Sequence, residues 1–162
     1  ISKNCFVCGV NNAAGLKSKF YELDNNELLA VFTLKDTHVS YPGRAHGGII
    51  AAILDETIGR AVNITEPEIF SVTVELNIKY LKPVPVGEKL YAIARTTKNR
   101  SRIYEGEGEI IFENGEIAAR AKGIYLKQAT EKIAKDINIE DELLFPADDD
   151  DVADTIFLPD SN

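Results

Sequence analysis

Residues 46–63 carry the longest helical pattern in the chain, and it is apolar on nearly every side. Ile49, Ile50, Ile53, Leu54, Ile58, Ala61 and Val62 spread round the helical wheel. A helix of that kind is buried rather than laid along a surface. Glu56 and Arg60, four apart, can pair on its one polar edge. A chain of 162 residues that must bury one such helix needs a sheet to bury it against.

The rest of the pattern supplies that sheet. Lys19–Leu23 and Leu28–Leu34 read as two strands joined by an Asp24-Asn25-Asn26-Glu27 turn. Residues 36–45, with Tyr41-Pro42-Gly43-Arg44, read as a loop into the helix. After it, Phe70, Val72, Val74, Leu76, Ile78 and Tyr80 alternate with Ser71, Thr73, Glu75, Asn77 and Lys79, a period of two that predicts one strand with a buried apolar face. Pro83, Pro85 and Gly87 end it, and Tyr91–Thr97 begins the next. Asn114-Gly115 favours a two-residue type I′ hairpin. That turn pairs Glu109 with Arg120 and Glu107 with Lys122 on one face. It puts Tyr104–Tyr125, Gly106–Gly123, Gly108–Ala121 and Ile110–Ala119 on the other. A face so poor in side-chain bulk leaves room for the helix. The expectation is an α+β domain, a mainly antiparallel sheet wrapped round one central helix.

Charge narrows the partners. The net charge is −8, but ten of the 26 acidic residues lie in residues 136–162, which contain no Lys or Arg. The remaining 16 acids face all 18 bases, so the body tolerates an anionic ligand while the tail repels one. Nucleic acid is not an expected partner. No apolar run approaches the roughly 20 residues of a membrane helix. The start, Ile1-Ser2-Lys3-Asn4-Cys5, shows no export signal, so the expected compartment is the cytoplasm. Residues 1–128 are expected to form the domain. Residues 129–162 are expected to be an acidic extension, partly flexible, with a short helix at 131–136 and the low-complexity run Asp148–Asp151. Cys5 and Cys8 are spaced C-x-x-C, but a tetrahedral zinc needs two further ligands and the histidines number only two, His38 and His46. Redox chemistry is the other alternative to zinc, and a structural turn is the expected role of the pair.

The chemistry concentrates on the helix. His46-Gly47-Gly48 opens it, where free N–H groups and the helix dipole point outward and bare glycine backbone lets a carbonyl oxygen approach. That is oxyanion-hole geometry, although glycines also ease a tight loop-to-helix turn. Asp55 follows eight residues after Gly47, with Ala51, Ala52, Ile58, Gly59 and Val62 around it. A carboxylate among apolar neighbours is costly unless paired or used, and burial raises its pKa. Capping of nearby N–H groups is the alternative role. Thr73 is a candidate to position a nucleophilic water or the carboxylate. Lys98, Arg100 and Arg102 cluster on one inter-strand loop and suit a phosphate-rich ligand such as coenzyme A.

At these residues the sequence resembles the hotdog-fold thioesterase superfamily, in its phenylacetate-pathway and acyl-CoA thioesterase-like branch. The resemblance runs through Cys5-Phe6-Val7-Cys8-Gly9, Gly15-Leu16, Tyr41-Pro42-Gly43, His46-Gly47-Gly48 to Leu54-Asp55-Glu56, and Thr73 through Tyr80 into Pro83-Val84-Pro85-Val86-Gly87. It implies a hotdog fold and hydrolysis of an acyl-CoA thioester. The Gly47 N–H would polarise the thioester carbonyl and Asp55 would act as general base or nucleophile, with Thr73 assisting. It also implies a homodimer or dimer of dimers with the site between subunits, and no cofactor or metal. Two alternatives stand beside hydrolysis. One is a hotdog hydratase or dehydratase with His46 as base and Asp55 as acid, which needs the His46 ring beside Asp55. The other is a non-catalytic acyl-CoA binding module.

Overall fold

The computed structural model describes residues 2–129 and Leu158. Strands β1 (Lys19–Glu22) and β2 (Leu28–Thr33) come first. A 3₁₀ turn at Asp36–His38 leads into a small hairpin, β3 (Val39–Tyr41) and β4 (Arg44–Ala45), where the sequence suggested only a loop. Helix α1 (Gly47–Ala61) is followed by β5 (Ile69–Tyr80), β6 (Lys89–Asn99), β7 (Ile103–Phe112) and β8 (Ile117–Ala129). The six long strands form one antiparallel sheet in the order β1-β2-β6-β7-β8-β5, with α1 packed across it. This is the hotdog fold.

Helix α1 is shorter than residues 46–63 because both ends are specified locally. His46 is the N-cap, with its side chain accepting from Gly48 N–H. Val62–Ile64 tightens into a 3₁₀ turn. Ile50, Ile53, Leu54, Thr57, Ile58, Gly59 and Ala61 are buried, and the Thr57 hydroxyl is satisfied by Ile53 O at 2.6 Å. The close approach of helix to sheet is made by the small residues of β7. A Cβ on Gly106 would lie 2.7 Å from Ile58 Cγ2, and one on Gly108 would lie 3.0 Å from Ile58 Cγ1.

The β7–β8 register is the one expected, from Tyr104↔Tyr125 through Ile110↔Ala119. The turn is not. It is a three-residue loop, 113–115, with Phe112 N–H bonded to Glu116 O and only Gly115 at positive φ. Ile111 then pairs Ile117, and a bulge at Ala118 restores the register by Ile110↔Ala119.

The larger departure is in β5. Its sequence alternates without a break, yet the pairing with β8 shifts between Thr73↔Tyr125 and Glu75↔Ile124, so Val74 is an extra residue in the ladder. Upstream of this bulge Ser71 and Thr73 face the helix; downstream Leu76 and Ile78 do. The apolar face expected for the whole strand therefore holds only for its second half. Val72 and Val74 are 44% and 62% exposed on the edge of the sheet.

A second apolar cluster, Leu29, Tyr91 and Ile111, lies outside the main core, and Leu158 packs against it. Apart from that residue and Ala129, the expected acidic extension and its helix at 131–136 lie outside the described residues.

Candidate active site

The centre of α1 holds a carboxylate gripped by two hydroxyls. Thr73 Oγ1 donates to Asp55, 2.9 Å from Oδ1 and 3.1 Å from Oδ2. Tyr125 O–H lies 3.1 Å from Oδ1 and 3.2 Å from the Asp55 carbonyl oxygen. Both hydroxyls stand at one level of the sheet because Thr73 and Tyr125 are register partners across β5 and β8. The bulge at Val74 lets Thr73 face the helix on the same strand as Leu76 and Ile78.

Burial raises the Asp55 pKa; the Thr73 and Tyr125 hydrogen bonds pull it down and Glu56 adds to the rise. Burial likewise pushes the Tyr125 hydroxyl up, with Asp55 reinforcing it. Tyr125 therefore acts as a donor to Asp55, not as a second anion. Removing the Thr73 donor removes support for the ionised carboxylate. We expect Thr73→Val to move the acid limb of any Asp55-dependent pH–rate profile to higher pH. An unmoved limb in a kcat–pH titration would show that Thr73 does not govern this group.

Asp55, Glu56, Gly59, Arg60, Ser71, Thr73 and Tyr125 line a cleft of about 430 Å³. Its floor is locked by the Tyr104 hydroxyl, bonded to Gly59 O, and by Ser71 Oγ, which donates to the same carbonyl at 2.8 Å. Tyr104 stacks on Tyr125 at 5.0 Å and 12°. These tyrosines were legible as a cross-strand pair; the link from Tyr125 to Asp55 was not, since it arises through pairing with β5. Glu56 sits on the polar edge as expected, with Arg60 Nε 2.7 Å from Oε1.

The other candidates lie apart from Asp55. His46 turns its ring back onto its own helix, Nδ1 accepting from Gly48 N–H at 2.8 Å, and is not among the groups on Asp55. That bond occupies the Gly48 amide. The Gly47 N–H has no hydrogen-bond partner among the described residues. Tyr80 O–H donates to Gly47 O at 2.9 Å and holds this corner against the end of β5. Gly47, Ile50, Tyr80 and Pro83 line a separate cleft of about 270 Å³.

Lys98, Arg100 and Arg102 surround a third recess of about 210 Å³ on the β6–β7 loop. Lys98 is paired with Glu105 at 3.0 Å, whereas the Arg100 and Arg102 side chains have no ion pair among the described residues. The loop is tied toward the Asp55 cleft through Glu66, whose Oε1 accepts from Asn99 and Lys127 at 2.6 Å each, next to Pro67 of the cleft lining.

The family model described as the thioesterase superfamily matches residues 42–119. Acyl-coenzyme A thioesterase 13 of Mus musculus is 29% identical over 72 residues, covering 44% of this chain and 51% of its own length. The chain thus spans about half the length of the curated relatives it matches. A solved thioesterase superfamily protein, RHA08564, superposes with a TM-score of 0.68 at 24% identity, over 74% of this chain and 61% of that one. The smu.793 protein of Streptococcus mutans, solved bound to acetyl-CoA, gives 0.62 at 20% identity over 69% and 89%. The matched residues, just under half of the chain, run through the helix bearing Gly47 and Asp55 and the strands that pack on it: over them the chain resembles the thioesterase superfamily, and its fold is the hotdog fold.

Proposed function

We propose that the protein hydrolyses an acyl-CoA thioester to a free acid and coenzyme A, with Asp55 as general base or nucleophile. The observation that carries the reading is Asp55 itself. It is a half-buried carboxylate oriented by Thr73 and Tyr125 at the wall of a cleft. A thioester is already activated toward water, so the protein has to stabilise the developing oxyanion and supply a base or nucleophile near the carbonyl carbon. The Gly47 N–H at the positive end of α1, without a hydrogen-bond partner among the described residues, suits the first task. The test is a screen of acyl-CoA thioesters with detection of released thiol. Release no faster than the uncatalysed background across short, long and aromatic acyl groups would rule the activity out.

Dehydration by His46 and Asp55 is disfavoured, because the His46 ring is engaged with Gly48 rather than turned toward Asp55. A non-catalytic binding role leaves the paired hydroxyls on Asp55 without a purpose.

The site needs a second copy of the chain. Gly47 and Asp55 stand eight residues apart, about 12 Å along a helix rising 1.5 Å per residue, too far for one thioester carbonyl to meet both. An Asp55 from a second subunit brought to Gly47 of the first completes the constellation. The exposed Val72 and Val74 on edge strand β5 offer the apolar surface for that pairing. A homodimer or dimer of dimers is expected. Val72→Asp with Val74→Asp should yield monomers by sedimentation velocity and lower turnover at least about tenfold, the scale of one misplaced catalytic group. Full turnover in a monomer overturns the shared site.

Arg100 and Arg102 are assigned to the phosphates of coenzyme A. Two exposed guanidiniums without carboxylate partners among the described residues suit charge-assisted bonds to phosphate. Changing both to Ala should raise KM for acyl-CoA about tenfold at low salt and leave kcat unchanged, since these contacts bind substrate and transition state alike. The effect should shrink as salt rises. An unchanged KM makes them ordinary surface charge.

A further inference from the structure

The turn Cys5–Cys8 is held more rigidly than a surface loop requires. Val7 and Cys8 N–H both point at Cys5 Sγ, at 3.3 and 3.4 Å. Gly9 N–H closes the turn on Cys5 O at 2.9 Å, and a Cβ on Gly9 would lie 2.5 Å from Cys5 N and O, so only glycine fits. The segment is then pinned to the body by Leu16 N–H to Phe6 O and Ser18 N–H to Val7 O, with Val7 and Leu16 buried in the core. This rigid turn brings both sulfurs to the polar edge of α1. Cys8 Sγ lies 3.8 Å from Glu56 Oε1, and the ligand atoms of Cys5, Cys8 and Glu56 all fall within 4.8 Å of one another.

We propose that Cys5, Cys8 and Glu56 form a binding site for a thiophilic divalent cation of the Zn²⁺ class. Two thiolates and a carboxylate are an accepted donor set for tetrahedral zinc, and the 4.8 Å cluster needs only slight contraction to meet zinc–sulfur bonds of about 2.3 Å and zinc–oxygen bonds of about 2.0–2.2 Å. The Val7 and Cys8 N–H groups both donate to Cys5 Sγ and fix the position of that sulfur. Glu56 Oε1, 3.8 Å from Cys8 Sγ, also accepts from Arg60 Nε at 2.7 Å, so a guanidinium stands beside the three ligands. Charge closes as well. Three anionic ligands, a divalent cation and the Arg60 guanidinium sum to zero, so a half-buried cluster of three negative groups is neutralised in place. Binding displaces the thiol protons to solvent.

Among the described residues no fourth ligand joins these three. His38 uses both ring nitrogens, Nδ1 with Lys35 N–H and Nε2 with Ala14 O, and His46 caps α1. Cys5, Glu56 and Arg60 all line the Asp55 cleft, so a metal here presents its free position to water or to a ligand in that cleft. The metal would also staple the lead-in segment to the middle of α1, joining Cys8 to Glu56 across 48 residues of sequence.

The test uses the whole chain, purified under reducing conditions and loaded with Zn²⁺ or Co²⁺, with no activity measurement needed. One equivalent of zinc should remain after gel filtration. The Co²⁺ form should show tetrahedral ligand-field bands and a thiolate-to-cobalt charge-transfer band. Cys5→Ser and Cys8→Ser should each weaken that band, and Glu56→Gln should weaken affinity at least about tenfold in chelator competition. Chelator should lower the Tm of the wild type and leave that of the Cys5→Ser, Cys8→Ser double variant unmoved. Three results overturn the site: no stoichiometric metal on reduced protein, full retention of metal by the double variant, or affinity indifferent to Glu56→Gln. A Cys5–Cys8 disulfide recovered by mass from protein handled without oxidant also overturns it and makes the pair a redox couple.

Discussion

Asp55→Asn should fold, retain acyl-CoA binding and lose on the order of a hundredfold or more in kcat, the scale of a general base. The substitution keeps the shape of the side chain and its carbonyl oxygen, so Thr73 and Tyr125 still have an acceptor. It removes the charge and the basic lone pairs. Stability should move the other way. The folded-state pKa of Asp55 is raised, chiefly by burial, so the protonated form is the one the fold favours. The stability this group contributes is present at low pH and lost as pH rises through its folded pKa. At neutral pH the ionised carboxylate is a cost the amide does not carry, and Asp55→Asn should melt at the wild-type temperature or above. Glu56→Gln, on the Arg60 edge, should keep most of the turnover in metal-free protein. Near wild-type kcat in Asp55→Asn with a dead Glu56→Gln would reassign the base to the neighbouring residue. Full activity in both would remove carboxylate catalysis on this helix altogether.

Gly106→Val should be among the most damaging substitutions in the sheet, at about 3 kcal/mol, the upper range for overpacking a core. Its Cβ alone would meet Ile58 Cγ2 at 2.7 Å and Arg95 O at 3.1 Å, and valine adds two methyls to that contact. The loss should appear as a lower denaturation midpoint with an unchanged m-value. The helix side of the clash can be relieved. Gly106→Ala placed on Ile58→Ala should cost much less than the sum of the two single changes, because the added methyl occupies space vacated by Ile58. Strict additivity would mean that the strand–strand contact with Arg95 O, not the helix, requires glycine at this position.

Some of this was readable in advance and some was not, for physical reasons. The β7–β8 register was legible because opposite charges at Glu109 and Arg120, and at Glu107 and Lys122, face one another only in that frame. It survived a wrong turn type because the three-residue loop and the Ala118 bulge offset each other. Asp55 stood out because an acid among Ala51, Ala52, Ile58 and Gly59 has no local partner on its helix. Its partners did not stand out. Thr73 and Tyr125 lie 18 and 70 residues away, and they meet Asp55 only through the β5–β8 ladder. The role of the His46 ring was undecidable from sequence, since the same residue can cap a helix or reach across a cleft. The third ligand-type group beside Cys5 and Cys8 was hidden because Glu56 already had an evident partner in Arg60.

The extra residue at Val74 acts on β5 as a frameshift acts on a coding strand. Odd positions read inward before it and even positions after it. A relative that lacks this one residue keeps both halves in phase with no irregularity: its counterparts of Ser71 and Thr73 still face the helix, and so do those of Leu76 and Ile78. Deletion at this point is silent for the faces of the strand, while deletion anywhere between Leu76 and Tyr80 inverts what lies beyond it. Correspondences drawn through β5 from its downstream end without a gap therefore set Val72 or Val74, which point outward, against a relative's inward hydroxyl. A role can be carried to Thr73 only after the frame has been counted from the Asp55 side.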